Sequence, residues 1–459
     1  MTFDPTLAAI KFGDGLSPHV APPTSIDDML DLLSGADVAA ENYPIATYDN
    51  ITPSRQDFQL ANAVVSQAED DVAEAAAREA RSQLQKDARE VWAQSVTAQL
   101  ARDITTSDGF RERLTRFWAD HFTAPATGSR WRHLAYPNIE QTIRPHVAGS
   151  FADMLSAAVM SPMLIEYLSQ NRSVGPNSRV GQNSERGLNE NMAREVLELH
   201  TLGVGASYTQ TDVREFAELL TGVTMNAQRG SFFRSDFAEP GAETVLGKEY
   251  GGEVESLDHV MAALNDLALH PDTARHLSEK LVQHFIGPDP QPDLVAQMAR
   301  AYALNDGNLL PVYEVLLRHD ATWSPVFHKV KQPYGFIASS LRALGVASDH
   351  LISMSYRDVR QFIFRPLTIM GQTLHQSPAP DGWPENNDAW ITPQGMAGRI
   401  TWAMQMPQRL LDDLPDPREL VFHALGPTPP DAVVFAANAA ETVSDGVGLV
   451  LASAAFQRR

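Results

Sequence analysis

At 459 residues, with 36 basic against 57 acidic side chains and a formal net charge of −21, the chain is too long for one ordinary core and repels phosphate backbones and anionic lipid surfaces. Two or three packed helical lobes are expected, and nucleic acid is a poor partner. No cysteine is present and no apolar run reaches the roughly 18 residues of a membrane-spanning helix, so disulfides, thiolate metal sites, a cysteine nucleophile and integral membrane contact are all set aside.

The start carries Asp4 where a secretory signal needs basic residues, and Leu7 to Phe12 is too short for its apolar core, which predicts a cytoplasmic protein unless a partner carries it to the periplasm. Residues 1–24, with Gly13, Gly15 and four prolines, read as an extended arm. Ser25 and Asp28 then mark the first helix start of an N-terminal helical lobe over 25–169. Within that lobe the stretch 68–102, rich in Ala, Glu, Gln, Lys and Arg, predicts one or two long, solvated helices. A polar loop follows at 170–187, then a central helix pair and an irregular or hairpin segment over 188–254. Glycines alternating with Phe232, Phe233, Phe237, Val245 and Tyr250 confine the expected strands to 222–252. A C-terminal helical lobe over 255–459 is broken at 376–395 by a proline-rich loop expected on the surface. The fold class is therefore mainly α, a multi-helical array with one small hairpin excursion.

The segment Asn189 to Gly203 predicts an amphipathic helix with His200 in the middle of its apolar arc. On the polar arc, Glu190, Arg194 and Glu198 either form i,i+4 pairs on a solvated face, or Glu195 and Glu198, with Asn191, make a carboxylate rim for a divalent cation or a general base. His121 shares a second apolar stripe with Phe110, Leu114, Phe117 and Trp118. Catalytic candidates are thus Glu195, Glu198, His200 and His121, and metal-ligand candidates Glu195, Glu198 and His121, although no motif implies a cofactor. Thr209 and Asp212 form a capping box for the helix that follows. Nucleophile-elbow, Walker and dinucleotide motifs are absent. In the loop Pro378 to Trp390, the candidates Trp383, Asn386, Asn387 and Trp390 either present aromatic faces to a sugar or peptide, or pin the loop to the helices.

Phe117-Trp118-Ala119-Asp120-His121-Phe122, Leu188 to Gly203, Tyr208 to Gly222, His270 to Arg275, Val330 to Pro333, Gly382-Trp383-Pro384 and the closing Ala452 to Arg459, in this order, resemble the domain of unknown function 1800 family of uncharacterised bacterial proteins. The resemblance covers most of the chain and implies no settled activity. It also implies a protein partner of the domain of unknown function 1501 family, whose members commonly carry export signals. Two departures stand out: Ala238 occupies a position where relatives tend to have histidine, and Val223 one where tryptophan is usual. The leading expectation is an accessory helical partner of a neighbouring exported protein. Its rival is a metal- or carboxylate-dependent hydrolase centred on His121, Glu195, Glu198 and His200, which requires those side chains to converge.

Overall fold

The structure, a computed structural model, describes residues 2–459, the side chains of 129 and 130 aside. Among the described residues the chain is 59% helical, with two small antiparallel hairpins. These are Val223–Asn226 paired with Gly230–Phe233, and Gly241–Val245 paired with Lys248–Gly252, inside the segment where glycine and aromatic residues alternate. Among the described residues, no helix is long and apolar enough to cross a membrane.

Local chemistry accounts for the elements. In the helix Asp71–Thr105 the Asp70 side chain accepts the Ala73 N–H at 2.7 Å, satisfying one of the first-turn donors. Its Ala/Glu/Arg-rich first half is mostly exposed, whereas Trp92, Val96, Leu100 and Ile104, four residues apart, are buried, so only the first half is the solvated helix that the composition suggests. The predicted capping box of Thr209 and Asp212 starts the helix Gln210–Leu219. The N-terminal arm is not wholly extended: Asp4 caps a helix Pro5–Phe12, with Pro5 at a position whose N–H needs no partner. That helix forms because it can bury Phe12, which stacks on Phe285 with centroids 5.2 Å apart.

Two large cores result. The first joins Phe110, Leu114, Trp118 and Phe151 to the central helices and to the chain as far as Trp323. The second packs the buried half of Asp71–Thr105 against Phe336, Trp402, Leu451 and Phe456. Within 255–459, residues from Val260 to Trp323 join the first core and residues from Tyr334 to Phe456 join the second. The helix Gly109–His121 is buried on every side, with Arg111, Glu112 and Arg113 inside along with its aromatics. The loop 170–187 is ordered against the hairpins: Gly175 N–H donates to the Phe237 carbonyl at 2.8 Å and Asn177 N–H to Glu239 Oε2 at 2.8 Å.

Candidate functional site

Two helices carry chemistry on opposed stripes. In Gly109–His121, Arg113, Arg116 and Asp120 recur at helical spacing on the face opposite Leu114 and Trp118. In Pro271–Phe285, His276, Lys280 and His284 stand four residues apart, while Ala274, Leu277, Leu281 and Phe285 are buried in the first core. Arg113, Arg116 and Asp120 of the first stripe and His284 at the end of the second border a cavity of about 150 Å³, also lined by Gln332 and Tyr334, by His375 and Trp383, and by Arg459.

Both ring nitrogens of His284 have polar neighbours. Its Nδ1 lies 2.5 Å from Glu385 Oε1, and Glu385 Oε2 is 2.6 Å from Lys329 Nζ. His284 Nε2 meets Arg113 Nη2 at 3.3 Å and Arg459 Nη2 at 3.4 Å. Guanidinium groups only donate, so these partners assign the proton to Nδ1, donating to Glu385, and leave the lone pair on Nε2. Burial lowers the pKa of His284, with Arg113 and Lys329 adding to the effect against the attraction of Glu385. For Glu385, burial alone would raise the pKa, but His284 and Lys329 hold it below the usual carboxylate range.

Asp120 lines the same cavity. Burial raises its pKa to about 7, opposed by the Trp383 N–H, which reaches both carboxylate oxygens at 3.0 and 3.1 Å. That approach requires glycine at 382: its φ is +93°, and a Cβ there would stand 2.7 Å from Asp120 Oδ2. The loop 376–395 is accordingly a half-buried strap and not a purely surface feature. Asn387 fastens it by accepting the Val330 N–H at 2.9 Å and donating to the His328 carbonyl at 2.7 Å. Trp390 donates to the Pro384 carbonyl at 2.9 Å, and Asn386 accepts the Ala389 N–H at 3.2 Å. Of the four loop candidates only Trp383 reaches the cavity. Arg459 is brought in by a short pairing of the closing residues with 329–331, in which its N–H donates to the Lys329 carbonyl at 2.9 Å and the Lys331 N–H donates to the Gln457 carbonyl at 2.9 Å.

The four residues singled out from sequence occupy different surroundings. His121 and His200 are neighbours, with ring centroids 5.6 Å apart, and both are buried. The helix that holds His200 is α-helical only over Asn191–Glu195 and continues as a π turn over Val196–His200. The carbonyls at its end are taken up by histidines: His276 Nε2 lies 3.2 Å from the Leu199 oxygen and His121 Nε2 3.1 Å from the His200 oxygen. All three rings have lowered pKa values, first through burial and then through Lys280, with His200 near 3 and His276 near 4. Arg194 bonds Glu198 at 3.2 Å and Glu190 at 3.3 Å on a part-exposed face. The pKa of Glu195 is raised by burial and by Glu198. No three of His121, Glu195, Glu198 and His200 bring ligand atoms within 4.8 Å of one another; among the described residues the group that does is Glu215, Glu218 and Glu243, unflagged in the sequence. His284, Glu385, Asp120, Arg113 and Arg459 were not anticipated from sequence either.

Four of the seven stretches that carry the family resemblance meet here. Asp120 belongs to the first, Gln332 to Val330–Pro333, Trp383 to Gly382-Trp383-Pro384 and Arg459 to the closing segment, and all four line the cavity. No curated protein and no solved structure matches the chain. A family model described as "Protein of unknown function (DUF1800)" matches residues 22–458, nearly the whole length, and the chain therefore belongs to the DUF1800 family.

Proposed function

We propose that the chain is an enzyme whose chemistry is acid–base catalysis in this cavity, with His284 as proton acceptor, Glu385 as its positioning residue and Asp120 as a proton donor or relay. The single observation that carries this reading is the Glu385–His284 contact at 2.5 Å, which aims an uncharged Nε2 toward a cavity that also holds a carboxyl group balanced near neutrality. Perturbed titratable groups facing one concave site are a recurrent mark of catalysis. The absence of sequence motifs, which favoured an accessory role, loses weight because the two dyad members are 101 residues apart and no local pattern spans them. Hydrolysis suits the arrangement: Nε2 would accept a proton from attacking water while the Asp120 carboxyl supplies one to the leaving group.

The test is incubation of the purified chain with small phosphate monoesters and carboxylate esters, followed by proton NMR. Turnover by the wild type that falls at least ~100-fold in folded His284→Asn supports the reading, since general-base steps contribute about that much or more. Turnover unchanged in His284→Asn and Asp120→Asn, or anion binding with no turnover of any substrate, overturns it.

A further inference from the structure

The cavity carries a charge pattern that its proton-transfer groups do not explain. Arg113 and Arg459 line it, both are buried, and among the described residues neither has a carboxylate within ion-pair distance. The third arginine of the wall, Arg116, differs: it is matched by Asp14 and Asp103, each at 2.6 Å. Arg459 is 4% exposed and its Nε and Nη1 have no hydrogen-bond partner, while Nη2 makes only the long contact to His284. His375, on the same wall, leaves Nε2 buried without a partner and holds φ at +57°, an uncommon backbone state for a residue with a side chain. Buried polar nitrogens are seldom left open, and a buried guanidinium without an anion is especially unfavourable. Such a group points to a partner that arrives from solution.

We propose that this cavity binds a small oxyanion, a phosphate group or a carboxylate, clamped by Arg459 and Arg113 with His375 as a further contact. The proposal rests on the same cavity as the enzyme reading and names the chemical class of its substrate. Guanidinium forks match the paired oxygens of phosphate and carboxylate, which gives both affinity and orientation. Selectivity follows from contrast: the protein as a whole is strongly acidic, so a local excess of cationic donors is a specific invitation to an anion. Binding also explains how the lone pair of His284 becomes usable. Without an anion, two guanidinium groups sit across Nε2 at 3.3 and 3.4 Å; an oxyanion that draws them away leaves Nε2 facing the bound molecule.

Isothermal titration of the full chain with inorganic phosphate and, separately, with succinate tests this. One saturable site for at least one of the two is expected, the stronger arm telling phosphate from carboxylate recognition. Arg459→Met should weaken it by about tenfold or more, Arg459→Lys should restore part of the loss, and Arg194→Met on the part-exposed face should leave it unchanged. Circular dichroism and melting without ligand confirm that each variant is folded. His284→Asn should retain anion binding whether or not turnover is found, which separates a failure of this inference from a failure of the enzyme reading. Absence of binding by both anions in the wild type, or equal affinity in the wild type and folded Arg459→Met, would overturn the proposal.

Discussion

The imidazole of His121 donates from Nε2 to the backbone carbonyl of His200 across 3.1 Å, so the side chain of one histidine closes the helix end on which the other sits. This relationship depends on the main chain of His200 and not on its ring, whose Nδ1 is buried without a partner. Replacing His200 by Phe should consequently keep the contact and change stability at pH 7 by no more than ~1.5 kcal/mol, as for a fairly well-matched core swap. Acid should shift the balance toward the Phe variant. Burial holds the pKa of His200 near 3, against 6.5 when unfolded, so between these values the unfolded wild type binds the extra proton. Wild type should lose up to ~1.4 kcal/mol per pH unit relative to the Phe variant as pH falls from 6.5. Urea midpoints of both proteins at pH 7 and pH 5 check this, and parallel pH dependence would contradict it.

Gly382 is the tightest backbone approach at the cavity. Adding the Cβ of alanine 2.7 Å from Asp120 Oδ2, at a φ of +93°, forces the strap away from the helix. Gly382→Ala should lower stability by about 2 kcal/mol or more. Losing the Trp383 N–H should also raise the Asp120 pKa further, because that donor favours the ionised form. A melting temperature equal to wild type would show that the strap is looser than the contact implies.

Glu243 makes a prediction of the opposite sign. Burial, then hydrogen bonding with Glu215 and the nearby Glu218 charge, raise its pKa from 4.5 to about 8. The folded protein therefore keeps a proton that the unfolded chain releases above pH 4.5, and stability drains away as pH rises toward 8. Glu243→Gln, which cannot ionise, should be more stable than wild type by roughly 1 kcal/mol at pH 8.5 and nearly equal to it at pH 4.5. Thermal melts at the two values decide it; a Gln variant less stable at pH 8.5 would contradict the assignment.

How far the sequence reveals this molecule depends on the range of the interaction. Local signals are legible: the capping box at Thr209 and Asp212, the helix-forming run before Trp92 and the glycine–phenylalanine alternation that becomes two hairpins. His121 and His200 are recognisable as inward-facing because their apolar stripes are continuous. The rest lies in pairings across the chain. Arg116 reaches Asp14 over 102 positions, and His284 reaches Glu385 over 101. Helical periodicity also names only the dry face of Gly109–His121, and stays silent about Arg113 and Asp120 on a face that a second core encloses. In the strap 376–395, polar and proline-rich composition reads as surface, whereas a positive-φ glycine lets its backbone press against a buried carboxylate.

The central claim is that Glu385 fixes His284 as a neutral ring with its lone pair on Nε2. Long-range proton–nitrogen correlation NMR on histidine-labelled protein observes this directly, assigned by comparison with His284→Asn. At pH 7 His284 is expected as the neutral Nδ1–H form, and Glu385→Gln should weaken that preference. A doubly protonated ring at pH 7, or a proton found on Nε2, would contradict the account.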